Sequence, residues 1–312
     1  MNKLIVTVNM NPCVDKTMEF EKIVPGGLNR AVSSRNDFGG KGINVARVLN
    51  AIGRDTLCTG FNYTDGGDGL ERALDADGIA HDFITADGRL RMNVKIYDKS
   101  AAIMTELNER GGFIPPEKTE QLIKKLSGCA DGAAMFVLSG SVPDGVPTDI
   151  YKRIIQTLPK NKIILDADGP LFKEALAAGP YAVKPNLYEL ETALGVKLKT
   201  HSEIAGACEK IINEGSAKIV LVSMGPDGAM ISDGEKNFYS PAPDVVVKGL
   251  QGAGDSMAAG MCAAIYENKT LDEILRYSVA AAAGSIQREG TLLCTREGFA
   301  DALDIVKIYR EV

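Results

Sequence analysis

Met135-Phe136-Val137-Leu138-Ser139-Gly140-Ser141 is a run of four apolar residues cut off by three small ones, and the same unit recurs down the chain. Ile163-Ile164-Leu165 runs into Asp166 and Asp168, and Tyr181-Ala182-Val183 into Lys184-Pro185-Asn186, with Glu189 one turn on. Ile219-Val220-Leu221-Val222 leads to Ser223, Gly225 and Gly228. Apolar runs this short suit strands buried on both faces of a parallel sheet. Helical patterns at 117–127, 148–158, 170–177, 187–194 and 202–214 lie between and around them. The alternation predicts an α/β fold with helices on both faces of the sheet. No internal repeat or linker interrupts it, so residues 1–312 are expected to form a single domain.

Two stretches break the pattern. Lys16-Thr17-Met18-Glu19-Phe20-Glu21-Lys22-Ile23 alternates polar and apolar residues, as a half-exposed strand does. Met92–Tyr97 and Ala102–Leu107 do the same around a turn near Asp98-Lys99-Ser100. One-sided strands beside a buried parallel sheet predict a small separate sheet, which would cover a cleft, pair with another subunit, or be a β-extension without function.

Composition narrows the function. The 312 residues carry a net charge of −6, with 45% hydrophobic and 24% charged residues. That balance suits a folded protein and argues against a general nucleic-acid binder. A chain this long buries roughly three quarters of its unfolded surface, so it needs neither disulfide nor metal to hold a core. No apolar run approaches the ~20 residues that span a bilayer. Met1-Asn2-Lys3 leads straight into Leu4-Ile5-Val6-Thr7-Val8, without the pattern of a secretory leader. Six scattered cysteines and two histidines offer no zinc spacing. These features read as a reduced, cytoplasmic protein.

In open α/β sheets, ligands bind beyond the carboxyl ends of the strands, which is where the small and polar residues above fall. The strongest local feature is Gly252-Ala253-Gly254-Asp255-Ser256, between the strand-like Val245-Val246-Val247 and the helical Met257–Tyr266. Glycines admit close backbone approach and a helix start offers unpaired N–H donors, so together they form an anion hole suited to phosphate. Asp255 at its mouth either takes the proton of an attacking hydroxyl or, with Ser256, caps the helix. The segment lacks the third glycine of a dinucleotide fingerprint, which counts against a nicotinamide-dependent oxidoreductase.

Gly39-Gly40-Lys41-Gly42 precedes a helix over Ile43–Ile52, with Asn44 in its first turn and Gly53 at its end. Lys41 either meets an anion or is simply solvated. Asp15, in Asn11-Pro12-Cys13-Val14-Asp15, accepts sugar hydroxyls or stabilises an Asx-turn. Arg91 opens the predicted hairpin, within reach of a phosphate or of solvent. Thr270-Leu271-Asp272-Glu273 reads as a capping box.

In this order the motifs resemble the PfkB (ribokinase-like) carbohydrate kinases, over nearly the whole chain. Asn11–Asp15, Gly39–Gly42 with Asn44, Asn186-x-x-Glu189 and Gly252–Asp255 fall where that family has its signatures. Gly26–Arg30, Gly40–Val45, Arg91–Lys95, Thr105–Asn108 and Ser139–Ser141 are similar to its sugar-phosphate branch. The resemblance implies a three-layer α/β/α fold with a mostly parallel central sheet. It also implies a β-lid, from about 12–37 and 90–110, that makes a homodimer clasp. The implied reaction is ATP- and Mg2+-dependent phosphorylation of fructose 1-phosphate to fructose 1,6-bisphosphate. Tagatose 6-phosphate and fructose 6-phosphate are the alternative acceptors, and a sugar-phosphate-binding regulator with impaired catalysis is the alternative of another class.

By position, the resemblance makes Asp255 the base, and gives Gly252, Ala253 and Gly254 the transferred phosphoryl group. Asp15, Gly39, Gly40, Lys41, Asn44, Arg91 and Ser139 would hold the sugar phosphate. Lys184, Asn186, Ser223, Gly225 and Gly228 would border ATP, with Gly252 and Gly254, and Glu189 would organise magnesium. Two departures stand out. The family usually reads Thr-Val-Gly-Ala-Gly-Asp where this chain has Leu250-Gln251 before Gly252, and Gly27 stands where some relatives place a phosphate-binding lysine, for which Arg30 or Lys41 would compensate.

Overall fold

A computed structural model describes residues 4–311. The reading of Met1-Asn2-Lys3 therefore concerns residues outside the described ones. The chain opens with β1 (Leu4–Asn9), β2 (Cys13–Phe20), β3 (Ser33–Gly39), α1 (Lys41–Ala51), β4 (Thr56–Asp65), α2 (Gly67–Ala76) and β5 (Ala80–Arg89). It continues through β6 (Arg91–Asp98), β7 (Ile103–Asn108), α3 (Pro116–Gly128), β8 (Ala133–Ser139), α4 (Ile150–Thr157), β9 (Ile163–Asp166) and α5 (Gly169–Leu176). Then follow β10 (Ala182–Val183), α6 (Leu187–Leu194), α7 (His201–Asn213), β11 (Ile219–Ser223), β12 (Ala229–Ser232) and β13 (Asn237–Ser240). The last elements are α8 (Ala253–Tyr266), α9 (Leu271–Ile286), α10 (Arg296–Ile305) and β14 (Tyr309–Glu311).

Among the described residues the main sheet has ten strands, in the order β14-β13-β12-β11-β10-β9-β8-β1-β4-β5. Every pair from β11 to β5 is parallel, and β12, β13 and β14 extend the edge antiparallel. Alternation along each parallel strand sends successive side chains to opposite faces. Phe136 and Leu138 join one core with the helices from α2 to α7, while Val137 joins another with α8, α9 and α10. Helix α1 contributes Ile43 to the first core and Val45, Val48 and Leu49 to the second. This is the three-layer α/β/α arrangement.

The chain winds outward from β1 through β4 to β5, then returns to place β8 on the other side of β1. The strand order thus reverses between β1 and β8, and a crevice opens beyond their carboxyl ends. A second sheet, β3-β2-β6-β7, stands apart, with β2 and β6 parallel and the outer pairs antiparallel. β2, β6 and β7 come from the two half-polar stretches, whereas β3 lies outside both, and β7 is exposed on every residue.

Three expectations are corrected. Val245–Val247 forms no strand, and Val246 and Val247 lie exposed in the loop before α8. That loop has no sheet partner, so β-branched composition alone does not make a strand there. Asp15 makes no Asx-turn, because it sits inside β2 paired with Asp37 and Asn93. Neither Asp255 nor Ser256 caps α8: the cap is Gly252, in the left-handed region at φ 73°.

Candidate active site

Helix α1 starts at Lys41, immediately after Gly40, which is held at φ 137°. A methyl group on Gly40 would come within 2.4 Å of Asn9 Oδ1, so only glycine lets α1 rise this close to the end of β1. Asn9 Oδ1 accepts the Gly42 N–H at 3.2 Å, which pins the helix start to the strand end. This close approach aims Lys41 and Asn44 into the crevice.

Across the crevice, α8 begins at Ala253. Its first-turn N–H groups lack intrahelical partners, and they carry the positive end of the helix dipole. Asp255 lies in that turn, only 7% exposed, and its Oδ2 accepts from Asn44 Nδ2 at 2.7 Å. Burial, reinforced by the charge of Asp166, pushes its carboxyl up to about 6, while Lys41, the Asn44 hydrogen bond and Lys184 pull the other way. A carboxylate with that proton affinity is suited to accept a hydroxyl proton near neutral pH.

Two lysines balance the carboxylates. Lys184 Nζ stands 3.1 Å from Asp166 Oδ1, with both side chains almost fully buried. A methyl on Gly254 would lie 3.6 Å from Lys184 Nζ, so this ammonium borders the start of α8. Asp166, aided by Asp255, Glu189 and Asp168, holds the Lys41 ammonium well above its ordinary value despite desolvation. Lys41 therefore remains a cation throughout the physiological range.

A cavity of about 370 Å³ opens beside Asn44, lined among others by Asp15, Gly39, Lys95, Gln251 and Gly252. A methyl on Gly39 would lie 3.7 Å from Asn44 Oδ1 and 3.8 Å from Asp15 Oδ2, so these three residues share one wall. Asp15 accepts from Asn93 Nδ2 at 3.0 Å and from Lys95 Nζ at 3.1 Å. Asp37 and Thr291 also line the cavity and are tied together by Arg35, which donates to Asp37 at 2.8 Å and to Thr291 at 3.1 Å.

The fold thus gathers Asp15, Gly39, Gly40, Lys41, Asn44, Gly252, Ala253, Gly254 and Asp255 around one crevice, with Lys184 beside them. Ser139 ends β8, buried in register with Asn9 and Asp166, and its Oγ has no partner. Asn186, beyond β10, bridges Ser223 at the end of β11, and Gly225 and Gly228 shape the following turn. Asn186 and Glu189 are partners in a reciprocal capping box at the start of α6, each 2.8 Å from the other's backbone N–H. Arg91 is not brought to the cavity of Asp15. Its guanidinium donates to the carbonyls of Asn11, Pro12 and Glu109, and it lines a separate cleft of about 310 Å³ with Arg89 and Arg110.

Sequence reasoning passed over Lys95, Asn93 and Asp37 as site groups. A buried lysine in a strand of a half-exposed sheet carries no local signature; only the polar alternation Arg91, Asn93, Lys95 hints that one face of β6 is special. Among the described residues no group of three or more His, Cys, Asp or Glu is clustered to hold a metal ion.

Comparison with known proteins agrees with this architecture. The profile described as pfkB family carbohydrate kinase matches residues 8–297. The chain is 32% identical over 311 residues to a 1-phosphofructokinase of Borreliella burgdorferi, covering 99% of this chain and 97% of the relative. It is 30% identical over 308 residues to the ATP-dependent 6-phosphofructokinase isozyme 2 of Escherichia coli, covering 98% and 97%. The crystal structure of phosphofructokinase-2 from Escherichia coli in complex with potassium superimposes with a TM-score of 0.91 at 28% identity, covering 97% of this chain and 99% of that one.

Proposed function

The chain belongs to the pfkB family of carbohydrate kinases and is a sugar-phosphate kinase, a phosphotransferase acting on a hydroxyl group, and we propose that its acceptor is fructose 1-phosphate. The product is fructose 1,6-bisphosphate and the donor ATP. The acceptor rests on the similarity to 1-phosphofructokinases, and the observation that carries the phosphoryl transfer is the buried Asp255 carboxylate. It is held by Asn44 at the N-terminus of α8 and raised to about 6.

Asp255 takes the proton of the attacking hydroxyl, a role worth about 10²–10⁴-fold in rate. The N–H groups from Gly252 to Gly254 face the negative charge on the transferred phosphoryl, and Lys41 and Lys184 add cationic charge in a water-poor site. Asp15 accepts sugar hydroxyls while Lys95 and Asn93 keep it oriented. Asn186, Ser223, Gly225 and Gly228 border the nucleotide. Asp166 Oδ2 is buried without a partner, which fits a hydrated cation among the phosphates. Asp166 and Glu189 would hold magnesium there, and its chemistry would be to neutralise phosphate charge. Arg91 would reach the substrate phosphate only by giving up its contacts with the Asn11, Pro12 and Glu109 carbonyls.

We read residues 1–312 as one domain in which the small sheet covers the crevice. The exposed Ile103, Met104 and Leu107 of β7 suit pairing with the same sheet of a second copy. The six cysteines are free thiols, in keeping with a reducing cytoplasm, and no helix among the described residues is long and apolar enough to cross a membrane. The similarity to 6-phosphofructokinase isozyme 2 favours fructose 6-phosphate as the second candidate acceptor.

ADP release from Mg-ATP with fructose 1-phosphate, beside Asp255→Asn, tests the reading. Fast turnover abolished by the substitution supports acceptor and base together. Turnover only with fructose 6-phosphate or tagatose 6-phosphate moves the acceptor, and sugar-phosphate binding without any ADP release replaces the kinase by a regulator.

A further inference from the structure

The Gly252 carbonyl and the Ala253 N–H, at the cap of α8, belong to one planar trans peptide and point in opposite directions. Whatever fixes the carbonyl therefore aims the N–H out of the helix start. Ser256 fixes it twice, through its backbone N–H at 2.8 Å and through Oγ at 2.7 Å. A serine hydroxyl bonded four residues back is common on helices. This one receives a donor of its own. Ser285 Oγ of α9 stands 2.6 Å from Ser256 Oγ, and the Cys294 N–H donates to Ser285 Oγ at 2.7 Å. An amide N–H only donates and a carbonyl only accepts, so every proton along this chain points towards Gly252. Both hydroxyls are buried, and hydrogen bonds that run in one direction polarise one another. The far end of the chain belongs to the sugar cavity. Thr291, Leu292 and Leu293 line it, and a methyl on Gly252 would come within 2.4 Å of Leu293 Cδ2.

We propose that Ser256 and Ser285 are positioning residues for phosphoryl transfer: their chained hydroxyls hold the Gly252 carbonyl, and so aim and polarise the Ala253 N–H towards the transferred group. Within the protein that N–H makes a long contact, 3.4 Å to the Leu250 carbonyl, weak enough for an arriving phosphoryl oxygen to replace. The inference rests on the first turn of α8 receiving the phosphoryl group. The serines act through the turn, so the transition state loses stabilisation while the binding of both substrates is kept.

The test measures kcat and both KM values with Mg-ATP and the better of fructose 1-phosphate and fructose 6-phosphate. Wild type, Ser256→Ala, Ser285→Ala and the double variant are compared across the acid limb set by Asp255. Ser256→Ala should lower kcat by about tenfold, short of the ~10²–10³ that follows outright removal of an oxyanion donor, with both KM values unchanged. Ser285→Ala should lose less, because the Ser256 hydroxyl still reaches the carbonyl. The double variant should be no slower than Ser256→Ala, since the chain acts only through Ser256. The acid limb should stay where it is in wild type. An unchanged kcat, losses that multiply, raised KM values or a displaced limb overturns the inference, since a merely structural tie would loosen the whole turn. If Ser256→Ala does not fold, Ser285→Ala decides alone: a lower kcat at unchanged KM upholds the inference and an unchanged kcat overturns it. Asp255→Asn in the same series separates the two readings. Full activity there removes the α8 turn from the reaction and this inference with it, whereas loss there beside an unaffected Ser256→Ala overturns the inference alone.

Discussion

Replacing Asp255 by asparagine should destroy activity and stabilise the ligand-free protein at the same time. The carboxyl rises from 3.8 to about 6 on folding, chiefly because burial disfavours its charge. At 1.36 kcal/mol per tenfold change in proton affinity, keeping it ionised costs about 3 kcal/mol. The sign follows from proton binding: between pH 3.8 and 6 the folded state binds more protons than the unfolded one, so stability falls as pH rises through that window. Above the folded value the full cost is present, and below the unfolded value it vanishes. Asparagine removes the charge and keeps an acceptor for Asn44. Thermal melts of the apo proteins at pH 7.5 should therefore show the variant several degrees higher, consistent with about 3 kcal/mol in a domain of this size. The gain should shrink through pH 5 and be gone near pH 4. Turnover should drop by about 10²–10⁴-fold. A variant that melts at or below wild type at pH 7.5, or whose gain ignores pH, would refute the account of Asp255 as a carboxylate buried against its preference.

Three further outcomes are expected. The kcat/KM for the sugar phosphate should be level above pH 7 and fall towards tenfold per pH unit below about 6, where Asp255 takes up its proton; a level profile down to pH 5 would remove Asp255 as the base. Lys95→Met strands the Asp15 carboxylate in the cavity wall, so the sugar KM should rise by about tenfold or more while that for ATP stays put, and initial rates at varied sugar and ATP separate the two. Gly260→Ala would bring a methyl 2.4 Å from the Tyr277 carbonyl and 2.9 Å from Ser278 Cα. Helices α8 and α9 must then part, and the urea midpoint should fall by an equivalent of about 1–3 kcal/mol.

Much of the main sheet is legible in the sequence because its strands are buried on both faces and its helices on one. The apolar runs at Met135–Leu138, Ile163–Leu165 and Ile219–Val222 all became strands, and the helix read at 187–194 is α6. Val245–Val247 misled because β-branched residues also occur in exposed loops, and only the missing neighbour strand shows the difference. The polar residues after each strand pointed to the crevice, since the chain must turn there and turns need glycine, asparagine and aspartate.

The sequence by itself determined the layer order, the half-exposed sheet and the glycine-cradled helix starts of α1 and α8, because periodicity and backbone freedom are local properties. Tertiary structure alone decided the chemistry of the site. It set Asn44 of α1 against Asp255 of α8, 211 residues apart, and Asp166 against Lys184 in a dry crevice. It also turned Arg91 onto backbone carbonyls and seated Lys95 on Asp15. Proton affinities depend on burial and on charges a few ångströms away. Those distances come into being only when β1 and β8 close the switch point and the helices at its rim converge.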